Sequence, residues 1–136
     1  MRIVIDTNVM ISGVFFGGFP RRVIEAVVDG RITACATREI VEEYQEIIRE
    51  MITRRQGTFG KNYFQPLMHR LRMIEAKTSI ELCRDPDDDK FIACAIDGGC
   101  LYIVSGDKDL LELDRAEGIE IITAREFCER YLDYFS

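Results

Sequence analysis

The chain has 136 residues, 47% of them hydrophobic and 31% charged, which is the size and mix of one globular domain covering 1–136. It holds no run of about 20 apolar residues to span a bilayer, and Met1-Arg2-Ile3-Val4-Ile5 meets Asp6 too soon for a secretory leader, so a soluble cytoplasmic protein is expected. The net charge of −6 argues against a nucleic-acid partner until its distribution is read: Arg49 to Lys77 holds seven basic residues against two acids, so this stretch carries +5 and the remainder −11.

Arg2 to Ile5 is a β-branched run stopped by Asp6, the pattern of a buried central strand with an acid at its carboxyl end. No element is assigned from there to Gly17-Gly18-Phe19-Pro20, which breaks the chain. Pro20 opens a helix over Arg21 to Val28, with Val23, Ile24, Val27 and Val28 on one face and Asp29-Gly30 as its stop. Ile32 to Ala36 is a second strand. Thr37 is an N-cap for a helix to about Met51, whose stripe is Ile40, Val41, Tyr44, Ile47 and Ile48, so Glu39 to Glu43 falls in its first two turns.

Gln56 to Gly60 reads as a loop, followed by a helix from about Tyr63 to Ala76. The two helices carry the basic segment, whose Arg49, Arg54, Arg55, Lys61, Arg70 and Arg72 are candidates for contacting phosphate; solvated helix faces are the plainer alternative. Tyr63 and Phe64 read as helix core, with base stacking as the alternative. His69 has no identifiable partner and reads as surface or a substrate-phosphate contact rather than a catalytic base.

Ser79 to Cys83 reads as a third strand, Asp85-Pro86 as a turn, and Asp87-Asp88-Asp89 as the entry to a helix through Ile96 that ends at Gly98-Gly99. Leu101 to Val104 is a fourth strand, stopped by Ser105-Gly106-Asp107. Ile119 to Ile122 is the fifth, and Thr123 caps a last helix over Ala124 to Tyr134. The alternation predicts an α/β fold with right-handed crossovers and a mainly parallel sheet covered on both faces. Five cysteines without a CxxC pair read as buried thiols in a reducing compartment rather than as zinc ligands.

In such sheets a site forms outside the carboxyl ends of the strands, where strand order reverses. Asp6 and Asp107 fall at strand ends, and Asp89 falls at a helix start near the same rim. Carboxylates gathered there repel one another unless a cation joins them, and all-oxygen donors favour Mg²⁺ or Mn²⁺ over zinc. Lys90 and Lys108 read as solvated surface, with charge compensation beside the acids as the alternative. No P-loop, GxSxG elbow or GxGxxG supplies a rival chemistry. Asn8 stands where a DxD phosphatase needs its second acid.

Four segments resemble the motifs of PIN-domain nucleases, in order along nearly the whole chain. They are Val4-Ile5-Asp6-Thr7-Asn8, Glu39-Ile40-Val41-Glu42-Glu43-Tyr44, Asp85-Pro86-Asp87-Asp88-Asp89-Lys90-Phe91-Ile92-Ala93 and Val104-Ser105-Gly106-Asp107-Lys108-Asp109-Leu110. The chain resembles in particular the prokaryotic PIN proteins grouped with VapC-type toxins. The resemblance implies a three-layer α/β/α sandwich with a five-stranded sheet, and RNA cleavage by water activated on Mg²⁺ or Mn²⁺. It implies Asp6, Glu43, Asp89 and Asp107 as the catalytic metal ligands. The register leaves Glu42 against Glu43, and Asp87 or Asp88 against Asp89, open. Ser105 and Asn8 are implied as supports of the ligand carboxylates, and Asp109 as an accessory to a second ion or its water. A cognate antitoxin and a homodimer are the implied protein partners. An RNA-processing nuclease outside any toxin-antitoxin pair, and a module that binds RNA or protein without cutting, are the alternatives.

Overall fold

The computed structural model describes residues 1–55 and 61–133, with the side chains of Arg55, Lys61 and Asn62 left out. The loop expected at Gln56 to Gly60 lies outside the described residues. Strand β1 (Arg2–Ile5) is buried to its last residue. It is flanked in parallel by β2 (Thr33–Ala36) on one side and β4 (Tyr102–Val104) on the other. Beyond β2 lies β3 (Arg72–Met73), and beyond β4 lie β6 (Ile119–Ile122) and then β5 (Arg115–Ala116), giving the order β3-β2-β1-β4-β6-β5. All pairs are parallel except β5 with β6. The chain builds one side of β1 first and then crosses to the other, so strand order reverses between β1 and β4.

The strand expected over Ser79 to Cys83 is absent; that stretch is irregular, and the outer strand is β3. The amides at the end of that stretch, and those just before it, are taken by side chains. Asp97 accepts from the amides of Lys77 (2.8 Å) and Thr78 (3.0 Å), and Asp89 from those of Leu82 (3.0 Å) and Cys83 (2.7 Å). The helix expected to reach Ala76 stops as α4 (Lys61–Arg70), because Arg72 and Met73 pair with Cys35 and Ala36 at the sheet edge. The sixth strand, β5, also lies outside the five expected. Glu117 (φ 52°) and Gly118 (φ 81°) form the two-residue, left-handed turn that folds it onto β6.

Helix α1 (Thr7–Phe15), a stretch for which no element is predicted, follows β1 directly. Thr7, Val9, Met10, Ile11, Gly13, Val14 and Phe15 are all buried, and its polar edge is only Asn8 and Ser12, too narrow to set off an apolar stripe. Helix α2 (Gly18–Val28) begins two residues before Pro20 and packs on α1. The contact is close at Gly13, where an added Cβ would stand 2.5 Å from Ile24 Cδ1. Helix α3 (Arg38–Arg55) starts after Thr37, whose hydroxyl accepts from the Ile40 amide at 3.4 Å. A 3₁₀ turn (Pro86–Asp88) leads into α5 (Asp89–Asp97), which packs across β1, β2, β4 and β6.

Helix α6 (Lys108–Leu113) and helix α7 (Ala124–Phe127) complete the set, the latter capped by Thr123 and continuing as a π-helical turn over Cys128–Leu132. The result is an α/β/α sandwich on one apolar core. Four of the cysteines are buried and Cys83 half-buried, all as free thiols. Among the described residues no helix is long and apolar enough to cross a membrane.

Candidate functional site

Asp6 ends β1 at the point where strand order reverses, and its backbone N–H still bonds Val104 O at 3.0 Å across the sheet. Its side chain therefore leaves the strand as a buried acid. Burial pushes its pKa above the ordinary value. The Ser105 hydroxyl works against this, the charge of Asp107 adds to it, and the amides of Asn8 and Thr7 again favour the ionised form. Ser105 is fully buried just past β4, donates to Asp6 Oδ2 at 2.7 Å, and accepts from the Asp107 amide at 3.0 Å. One hydroxyl thus fixes the first acid and the backbone of the next.

A cleft of about 270 Å³ opens over this point, lined by Asp6, Glu43, Asp87, Asp88, Lys90 and Asp107, with Asn8 and Thr7 at its wall. Asp88 is buried there with Oδ2 lacking a hydrogen-bond partner. Its pKa is pushed up to about 7, by burial first, then by the adjacent Asp107 carboxylate, Asp6 and Asp85. Glu43 reaches the cleft from α3. Its Oε1 accepts from Lys90 Nζ at 2.6 Å and its Oε2 from the Thr7 hydroxyl. Burial disfavours the Lys90 charge, but the bond to Glu43 and the charges of Glu43, Asp87 and Glu39 outweigh it and raise its pKa.

The expected residues are only partly brought together. Asp6, Glu43 and Asp107 line the cleft; Asp89 does not, and Asp88 stands there in its place. Asp89 faces a neighbouring hollow, where the amides of Cys83 and Leu82 outweigh burial and hold its pKa below the ordinary value. Glu42 is exposed and paired with Arg38 at 3.0 Å. Asp109 gives its amide to Asp107 Oδ1 at 2.8 Å, while its carboxylate lies 4.0 Å from Arg84. Lys90 is no solvated surface residue; Lys108 and His69 are exposed.

Among the described residues the basic segment does not gather at the cleft. Arg49 and Arg54 border a separate shallow hollow on α3, and Arg70 approaches Gly30 on the turn before β2, at the opposite ends of the strands. Arg72 is on β3, and the side chains of Arg55 and Lys61 lie outside the described residues. Phe64 is buried and so closed to a base, and one face of the half-buried Tyr63 ring is covered by the Arg21 guanidinium at 4.2 Å. Thr7 is a site residue that sequence reasoning missed, and Lys90 takes the charge-compensating role that was the alternative to solvated surface. Both act through Glu43, at separations of 36 and 47 residues that no local pattern spans.

The donors facing the cleft are carboxylate oxygens, the set suited to a hard divalent cation, and the unpartnered oxygen of Asp88 is a buried acceptor in want of one. Among the described residues no three acid, histidine or cysteine side chains already stand as a finished metal cage.

The fold has relatives. A chain in the crystal structure of VapBC2 from Rickettsia felis bound to a DNA fragment from their promoter superimposes with a TM-score of 0.61. It is 12% identical, and the match covers 89% of this chain and 97% of that one. An uncharacterized protein of Methanocaldococcus jannaschii is 26% identical over 151 aligned positions, covering 100% of this chain and 95% of its own. The PIN domain family model matches residues 2–109, from β1 into α6 and so across every acid of the cleft, and the chain belongs to the PIN-domain family.

Proposed function

We propose that this PIN domain is a ribonuclease dependent on Mg²⁺ or Mn²⁺, with Asp6, Asp88 and Asp107 as the carboxylates that hold the ion and Glu43 beside them. The observation that carries this is the convergence of Asp6, Asp88 and Asp107 on one cleft, with a buried Asp88 oxygen left without a donor. Asp88 replaces Asp89 in this assignment because the Asp89 carboxylate is already spent on backbone amides. Burial first, and neighbouring acids after it, raise the pKa values of Asp6 and Asp88, so their charged forms are costly there, a cost that a cation would relieve. The cage is completed when the ion binds.

When bound, the ion supplies polarisation of a phosphate oxygen and activation of water. The chain's own residues do the rest. Ser105 holds Asp6 in one orientation and ties Asp107 to it through the backbone. Thr7 and Lys90 hold Glu43 at the cleft wall. Asn8 and Thr7 supply amides that favour the ionised form of Asp6 against its burial.

A toxin role with a cognate antitoxin over the cleft is proposed on the fold likeness to a VapBC2 chain. The expected homodimer is proposed with it. Purified protein should cleave single-stranded RNA with Mn²⁺ and not with EDTA, and Asp6→Asn should abolish the cleavage. RNA binding without Mn²⁺-dependent cutting would replace the enzyme with a binding module. An adjacent gene whose product suppresses the cleavage would establish the antitoxin; a nuclease that no neighbour restrains would be an RNA-processing enzyme.

A further inference from the structure

The cleft has two halves whose charge is balanced differently. In the first, Asp6, Asp88 and Asp107 face one another, and among the described residues the donors bonded to them are hydroxyl and amide groups: the Ser105 hydroxyl bonds Asp6, and Asp109 gives its amide to Asp107. Asp88 is 9% exposed and its Oδ2 has no partner. In the second, each oxygen of Glu43 already has a donor. Lys90 Nζ donates to Oε1 at 2.6 Å, and the Thr7 hydroxyl to Oε2. The Lys90 side chain is 11% exposed, with Nζ 5.3 Å from the centroid of the Phe91 ring. An ammonium so enclosed is held in place, unlike one on a solvated stem.

Two-ion nucleases need carboxylates on both sides of the cleft free to ligate, with the ions about 4 Å apart. Here the carboxylate on the α3 side already carries a cation. A divalent ion on the Lys90-bonded oxygen of Glu43, at about 2 Å from it, would stand no more than about 5 Å from Nζ. In a partly buried cleft the two charges would repel strongly.

We propose that the Lys90 ammonium takes, on Glu43, the place of a second divalent cation, so that the cleft loads a single Mg²⁺ or Mn²⁺ on its Asp6, Asp88 and Asp107 half. This rests on the metal-dependent function proposed above. Lys90 is then a positioning residue that fixes Glu43 and sets the metal count.

The test counts Mn²⁺ bound to the full chain, by calorimetric titration and by the electron paramagnetic resonance signal of the free ion. Wild type should bind one ion per chain and Lys90→Arg one. Lys90→Met should bind two, and the second should vanish in Lys90→Met combined with Glu43→Gln. Two ions in wild type, or a single ion in Lys90→Met with native circular dichroism, would overturn the inference and leave the metal-dependent nuclease intact. No ion in wild type would overturn both. The wild-type count stands even if Lys90→Met fails to fold.

Discussion

Asp88 and Asp89 are consecutive, both are buried, and they serve two regions of the molecule on opposite terms. Asp88 faces the cleft among other acids, with one oxygen lacking any donor and its pKa pushed up to about 7. Asp89 faces the irregular segment before the 3₁₀ turn, where two backbone amides satisfy it and lower its pKa. The first region is poor in donors and the second rich in them. An acid supplied with amides by its own chain holds structure together. An acid deprived of them is costly to the fold by itself, and that cost is recovered when something electropositive arrives.

The largest expected effect is at Asp88. Asp88→Asn should reduce Mn²⁺-dependent cleavage by more than the roughly 10- to 100-fold typical of a group that only supports a ligand. The same change should raise the thermal midpoint of the metal-free protein, since it removes a buried charge without a partner. Activity lost together with stability would mean that Asp88 is structural like its neighbour, and the contrast would collapse.

Asp89→Ala should do the reverse. It strands the Leu82 and Cys83 amides and removes two bonds to a charged acceptor, each worth about 1.5–3 kcal/mol when buried and less here, where the amides are partly accessible. A loss of about 2 kcal/mol in denaturant unfolding, with Mn²⁺ affinity retained, is the expected outcome. A variant that unfolds normally but no longer binds Mn²⁺ would return the ligand role to Asp89.

This contrast also marks where the sequence was legible. Asp6 and Asp107 reach the cleft by ending strongly patterned strands, and Glu43 does so because it adjoins the buried Tyr44 in a helix with a clear apolar stripe. The choice between Asp88 and Asp89 was not legible. It depends on the Pro86–Asp88 segment winding as a 3₁₀ turn, whose step per residue differs from that of an α-helix and changes which acid meets the cleft. The alternation Ser79-Ile80-Glu81-Leu82-Cys83 has the period of a strand, yet its amides go to Asp89 and the preceding ones to Asp97, partners that local patterning does not encode. Lys90 was read as surface for the same reason: its partner lies on α3.

Asp97, at the far end of α5, gives the smallest effect and separates the two regions most cleanly. The Thr78 hydroxyl, then the amides of Lys77 and Thr78, hold its carboxyl below the ordinary value of 3.8. A group whose pKa is depressed by folding contributes its full stability above the unfolded value, and that contribution is lost as pH falls through the folded one. The difference in unfolding free energy between wild type and Asp97→Ala should therefore be flat from neutral pH to about 4 and shrink below it. Its plateau should be about 1 kcal/mol, since the group is partly solvated. A difference that grew as pH fell would show that Asp97 is not held as a carboxylate. Mn²⁺ affinity should not change, because Asp97 anchors only the irregular segment; a fall in affinity would mean that this segment and the cleft form one mechanical unit, joined through α5.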